Sequence, residues 1–208
     1  SWAGRVLALS GPSFAKEVAL DYPTNVVLAG RDEQVVRDVQ HRIGSERFRI
    51  YSSDDPIGVE MGGAIKNVIA IAAGACDGLG FGYNTRAALI TRGLAEITRL
   101  AVAKGGQPLT LAGLAGMGDL VLTCTGELSR NRTVGFELGR GSELGPTLRD
   151  LGHVAEGVPT SRSAYQLARR LGVDAPLCTE VYLVLWEGKP SKDAVRDVLA
   201  RPLRRERD

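Results

Sequence analysis

Residues 57–76 constrain this chain more than any other stretch. From Ile57 to Cys76 the side chains are apolar or small, broken only by Glu60, Lys66 and Asn67. A run of that length following Asp55-Pro56 reads as one long helix. It would reach across a bilayer, but a carboxylate, an ammonium and an amide are poorly tolerated in hydrocarbon. The expectation is a helix inside a folded domain. On it, Gly62, Gly63, Ala70 and Ala73 share a face with Lys66, at i−4, i−3, i+4 and i+7. The lysine therefore stands in a hollow rather than on a packed ridge. A glycine inside a helix costs about 1 kcal/mol relative to alanine, so something has to compensate. Two readings stay open from the residues alone. The amine faces a ligand and moves a proton, or it snorkels beside a helix contact that needs small residues.

The chain before this helix has a different texture. Val6-Leu7-Ala8-Leu9 reads as a short buried strand, closed by the turn Ser10-Gly11-Pro12-Ser13. Asn25 to Ala29 is a second strand. Asp32 opens a helix with Val35, Val36, Val39 and Ile43 on one face, and Gly44 stops it. Phe48 to Tyr51 is a third strand. The order is β–β–α–β, too little for a sheet covered on both faces. The chain also opens Ser-Trp-Ala without Met, so residues 1–54 are expected to be the end of something larger. After residue 54 the pattern is helical. Helices are expected at 85–104, 109–114, 133–140, 159–171, 177–187 and 191–200, with a charged, frayed tail at 201–208. Residues 55–208 then form an all-helical domain of ordinary size.

Composition narrows the function classes. With 26 Lys and Arg against 24 Asp and Glu the net charge is +2, which draws the chain to neither nucleic acid nor membrane. Cys76, Cys124 and Cys178 are odd in number and widely spaced, so they read as buried free thiols in a reducing compartment. His41 and His153 are too scattered to complete a zinc site. A full G-x-G-x-x-G is absent. Gly78-Leu79-Gly80-Phe81-Gly82 and Gly116-Met117-Gly118 are near misses that do not join a strand to a helix, and they read as flexible turns. There is no P-loop and no nucleophile elbow.

Two further clusters could carry chemistry. Asp119 and Thr123 sit in Gly116-Met117-Gly118-Asp119-Leu120-Val121-Leu122-Thr123. A carboxylate just before an apolar run is an N-cap or a site residue, and the local pattern favours the N-cap. Ser129-Arg130-Asn131-Arg132 presents a hydroxyl, guanidinium groups and an amide just before a predicted helix. Arginine forks match phosphate geometry and a helix start adds backbone donors. A solvated polar loop fits the same residues.

Five blocks together carry a resemblance: Ser10 to Ala15, Gly62 to Ala70, Gly118 to Cys124, Ser129 to Arg132, and Ala155 to Val158. In this order they closely resemble bacterial NAD(P)-dependent glycerol-3-phosphate dehydrogenases, from about residue 5 to residue 200. The resemblance implies a mainly α fold: a helical substrate and dimerisation domain of the 6-phosphogluconate dehydrogenase C-terminal type at 55–208. The last strands and helix of a truncated Rossmann domain precede it at 1–54. It implies reversible reduction of dihydroxyacetone phosphate to glycerol 3-phosphate with NAD or NADP, in a cytoplasmic homodimer that supplies phospholipid synthesis.

The same resemblance assigns roles. Lys66 is implied as the general base at the C2 hydroxyl. Gly11, Ser13, Asp119, Ser129, Arg130 and Asn131 are implied as substrate contacts. Ala15, Arg130, Val154 and Glu156 are implied as cofactor contacts; no metal, nucleic acid or membrane is implied. The family's Gly-rich nucleotide turn is missing, so the chain alone is expected to be inactive. The strand end that selects NAD or NADP is missing too. Another reading is a non-catalytic helical binding or dimerisation module. A third is a different β-hydroxyacid-type dehydrogenase, which the Ser-Arg-Asn block argues against.

Overall fold

The computed structural model describes residues 6–202 and residue 205. Of the charged tail, residues 203, 204 and 206–208 lie outside the described residues, as does residue 5, where the resemblance begins.

The chain opens with a small mixed sheet of three strands in the order β1 (Ala8–Ser10), β2 (Thr24–Ala29), β3 (Phe48–Ser53). β1 runs antiparallel to β2, with Ala8 opposite Ala29. β2 runs parallel to β3, with Thr24 opposite Phe48 and Ala29 opposite Ser53. The parallel step is made by α2 (Glu33–Ile43). Asp32 caps it, its carboxylate accepting from the N–H groups of Gln34 and Val35, and Gly44 follows its end. Val36 is the residue α2 buries, against Val26, Leu28 and Ile50. Two details correct the expected β–β–α–β order. A short helix α1 (Ala15–Ala19) intervenes after the first turn. β1 is not buried either: Leu9 is 48% exposed, and Val6, ahead of the strand, 64%. An apolar run of this kind suits a strand covered on both faces; here Leu7 and Ala8 pack against buried clusters while Val6 and Leu9 are left exposed.

The rest is helical: α3 (Pro56–Gly78), α4 (Tyr83–Ala103), α5 (Pro108–Ala112), a π-helical turn (Leu114–Gly118), α6 (Asp119–Thr125), α7 (Arg130–Gly139), α8 (Leu144–Leu151), α9 (Gly157–Leu171), α10 (Pro176–Trp186) and α11 (Ser191–Leu199). α3 is the axis of the domain; α4, α6, α7, α9 and α10 all pack on it. It is long and apolar enough to cross a membrane, and 56% of its most apolar window is buried by these neighbours. Val68, Ile69 and Ala70 are wholly buried beside Ile97, Leu100, Leu111 and Leu120. Each large aliphatic side chain so buried contributes about 1.5–3 kcal/mol.

Two helices fall outside the expected helical stretches, although the N-cap reading of Asp119 implies a helix where the first of them lies. α6 grows straight out of the π-helical turn, so no break in the chain announces it. α8 has Gly145-Pro146 in its first turn, which reads as a loop although proline is tolerated there.

The glycines of α3 are compensated by close approach. A Cβ on Gly74 would lie 2.0 Å from the Arg132 carbonyl oxygen, and one on Gly78 would lie 2.1 Å from that of Phe136. Reciprocally, a Cβ on Gly135 would meet the Ile71 carbonyl oxygen and one on Gly139 that of Ala75. α3 and α7 therefore touch backbone to backbone, which side chains at these four positions would prevent.

Candidate active site

A cleft of about 540 Å³ opens between the β1 turn and the helices α3, α6 and α7. Lys66, Asp119 and Arg130 all line it, with Gly11, Ser13, Ser129, Asn131 and Glu156.

At its floor Lys66 Nζ donates to Asp119 Oδ2 across 2.5 Å, joining α3 to the first residue of α6. The Asp119 side chain is 3% exposed and that of Lys66 19%. A carboxylate this deeply buried is strongly destabilising unless it is paired. Ser10 Oγ at the end of β1 donates to the same carboxylate oxygen at 3.3 Å. Thr123, one turn along α6, donates to the Asp119 carbonyl at 2.6 Å and lies 3.4 Å from its Oδ1. Asp119 is therefore not an N-cap. Gly118 ahead of it already has helical dihedrals, because the π-helical turn leaves no free helix start to cap. The hollow around Lys66 is also accounted for. A Cβ on Gly62 would lie 2.4 Å from the Ala115 carbonyl oxygen, and one on Gly63 would lie 2.7 Å from Ser10 Oγ. The small residues let the turns that carry Ser10 and Asp119 approach the amine.

The second wall is the start of α7. Ser129 is its N-cap, its hydroxyl accepting from the Arg132 N–H at 3.3 Å. The Ser-Arg-Asn-Arg block thus starts the helix rather than preceding it. Asn131 is buried; it donates to Asn67 Oδ1 at 2.9 Å and accepts from the Gly157 N–H at 2.8 Å. That chain ties α7 to α3 and to the start of α9. Arg130 is half-exposed at the mouth, with Nη2 3.2 Å from Glu156 Oε1. Arg132 turns away from the cleft to Asp77.

The β1 turn closes the third side. Gly11 has φ 144°, a conformation that side chains disfavour, and a Cβ there would lie 3.0 Å from Val26 Cα. Ser13 Oγ donates to the Gly11 carbonyl at 2.9 Å. Ala15 and Val154 do not line the cleft; both are exposed, Val154 by 67%. Conversely Ser10 and Asn67 belong to the cleft, although only the blocks containing them stood out in the sequence. Asn67 follows Lys66 directly, and an amide inside an apolar helix is the signal that pointed to it.

The arrangement can hold an ammonium between a carboxylate and a ligand, and can meet an oxyanion with Arg130 and the α7 start. Residues 55–196 match the family described as NAD-dependent glycerol-3-phosphate dehydrogenase C-terminus. A Geobacter sp. (strain M21) protein named glycerol-3-phosphate dehydrogenase [NAD(P)+] is 60% identical over 199 residues, covering 96% of this chain and 59% of its own length. A Myxococcus xanthus protein of the same name is 60% identical over 193 residues, 93% of this chain and 58% of its own length. The crystal structure of the Coxiella burnetii glycerol-3-phosphate dehydrogenase superposes with a TM-score of 0.92 at 45% identity, covering 94% of this chain and 60% of that one. The chain thus spans about 60% of the length of the relatives it matches. On the family match, the identities and the shared structure together, the chain belongs to the NAD-dependent glycerol-3-phosphate dehydrogenase family.

Proposed function

We propose that residues 55–208 are the substrate-binding and catalytic domain of an NAD(P)-dependent glycerol-3-phosphate dehydrogenase, and that residues 1–54 end its nucleotide-binding domain. The observation that carries this reading is the Lys66–Asp119 pair on the floor of a cleft whose mouth holds Arg130. The phosphate of the substrate meets Arg130 and the start of α7, and C2 then lies towards Lys66. As an ammonium held by Asp119, Lys66 donates a proton to the C2 oxygen when the ketone is reduced; in the other direction it takes the proton back. Asp119 keeps the amine aimed into the cleft, and Ser10 and Thr123 keep Asp119 in place. A nicotinamide cofactor supplies or receives the hydride when bound. The residues here suit only its reactive end, with Arg130 and Glu156 at the mouth. The described glycine turns do not form a strand-to-helix G-x-G-x-x-G cradle for its pyrophosphate. Ala15 and Val154, outside the cleft, are then contacts for the cofactor's remoter parts. The free edge of β1, with Leu9 exposed, is where the rest of the nucleotide-binding sheet would continue. A cytoplasmic homodimer serving phospholipid synthesis is the finer reading, supported by the resemblance alone.

The test is an amide-shift titration of the chain with glycerol 3-phosphate and with inorganic phosphate, which registers even millimolar binding. Shifts at Lys66 and at Ser129 to Asn131 are expected with the first, and at the α7 start with the second. No response to either would overturn the reading in favour of a non-catalytic helical module.

A further inference from the structure

Arg132 belongs to the same four-residue block as the cleft-lining Ser129, Arg130 and Asn131, yet it leaves the cleft for Asp77. Asp77 is the penultimate residue of α3, and its side chain is 6% exposed. Its Oδ2 accepts from Arg132 Nε at 3.0 Å and Nη2 at 2.7 Å. Its Oδ1 accepts from Arg86 Nε at 2.9 Å and Nη2 at 2.7 Å, Arg86 lying in the first turn of α4. One buried carboxylate is therefore gripped by two guanidiniums from two other helices, each placing two N–H groups on one of its oxygens.

Two features of the sequence are unfavourable unless this cluster is considered. An acid at a helix C-terminus and arginines at a helix N-terminus both oppose the helix dipole. α3 ends with Asp77, and α7 begins with Arg130 and Arg132 and has no acidic residue in its first turn. Asp77 answers Arg132. Arg130 is left with the half-exposed Glu156, its charge directed at the mouth of the cleft.

The α3–α7 contact adds a geometric reason. It is made of facing glycines, Gly74 and Gly78 against Gly135 and Gly139. Facing glycines present no side chains to interdigitate, so the polar contacts at the two ends of this seam, Asn131 to Asn67 at the cleft end and Arg132 to Asp77 at the other, fix its axial register. A bidentate fork is directional and specifies both position and rotation. Asp77 lies eleven residues beyond Lys66 on α3, about 16 Å along the axis at roughly 1.5 Å per residue. It touches nothing in the cleft.

We propose that Asp77 is a positioning residue for the anion end of the cleft. Through Arg132, and together with the Asn131–Asn67 bond, it sets the register of α7 on α3, and thereby the place of Arg130 and of the α7 N–H groups. Arg86 braces the carboxylate but does not act on α7. The inference rests on the cleft's taking a phosphate ester, as proposed above.

The experiment uses the 208-residue chain, with inorganic phosphate and glycerol 3-phosphate as probes and amide shifts as readout. Asp77→Asn keeps the shape and removes the charge, and is expected to weaken both ligands about tenfold. Arg86→Gln removes one fork and lowers the melting temperature, yet leaves both affinities within about twofold of the parent. A merely structural cluster would link the two effects, so this contrast is decisive. Arg132→Lys keeps the charge but loses the fork. It is expected to weaken both ligands about as much as Asp77→Asn, and it stands in for that variant should it fail to fold. Parental affinity in Asp77→Asn or in Arg132→Lys would overturn the proposal, as would an equal loss in Arg86→Gln. A parent that answers neither probe would overturn the reading of the cleft itself, and this inference with it.

Discussion

On the proposed reading, Lys66 and Arg130 are separable in their chemistry. In a chain extended with a nucleotide-binding half to the length of its relatives, Lys66→Met should lower kcat about 10²–10⁴-fold with a smaller change in KM, because the proton donor is lost while most of the side-chain volume remains. Arg130→Ala should instead raise substrate KM roughly ten- to a hundredfold, the loss of about 1.5–3 kcal/mol for a charge-assisted hydrogen bond. Steady-state kinetics on both variants, with inorganic phosphate as competitor, checks the assignment; phosphate should inhibit the Arg130 variant much less. Glu96 is a different case. It is 1% exposed, and its carboxylate accepts from the N–H groups of Leu177 and Cys178 at the start of α10. Burial pushes its pKa up to about 7 from 4.5, outweighing those bonds and the nearby Arg99. The folded chain then holds a proton that the unfolded chain releases, so this group's contribution falls as pH rises from about 4.5 to about 7. The stability of Glu96→Gln minus that of the parent should therefore rise across that window, by up to about 3 kcal/mol, and stay level above it, whatever constant cost the amide carries for its single acceptor oxygen. Denaturant melts of both proteins at several pH values read the difference directly.

Among elements, α3 and α7 matter most. Four glycines set their separation, and a methyl group at any of them meets backbone that cannot step aside. Gly135→Ala, aimed at the Ile71 carbonyl, should destabilise the chain by about 1–3 kcal/mol through overpacking. For a chain of this size, about 2–4 °C of melting temperature is lost per kcal/mol. Gly80→Ala is the matching control. Its φ of 85° strains an alanine, but nothing lies within 4 Å of the added methyl, so the loss there should be the smaller. Calorimetry distinguishes packing from backbone strain by this comparison. The periodicity of Ile, Val and Ala announced α3, and the facing glycines were visible as composition. That the two sets face one another was not visible, because a glycine carries no side chain whose pattern could name its partner.

For the whole molecule, the sheet and the helical domain meet at the cleft, with Ser10 from one and Lys66 from the other both donating to the Asp119 carboxylate. The isolated chain should show negligible NAD(P)H oxidation with dihydroxyacetone phosphate. Hydride transfer needs a cofactor held against the substrate, and no described turn cradles its pyrophosphate. Spectrophotometric assay of the purified chain decides this, and turnover at a rate near that of a full-length relative would refute it.

Local pattern in the chain determined most of the elements. Asp32 and Gly44 bracket α2, the apolar run from Ile57 marks α3, and Ser129 marks the start of α7. These are properties of neighbouring residues, and periodicity and capping report them without knowledge of the fold. The role of Asp119 was not legible in this way. Its immediate neighbours suggest a helix cap, and only the π-helical turn and the approach of α3 across the Gly62 contact make it the partner of Lys66. Arg132 likewise looks identical to Arg130 in sequence, two residues away. One faces the cleft and the other a buried carboxylate 55 residues earlier in the chain. Residues far apart in sequence become partners only when packing places them together, and that placement was decided by the tertiary structure.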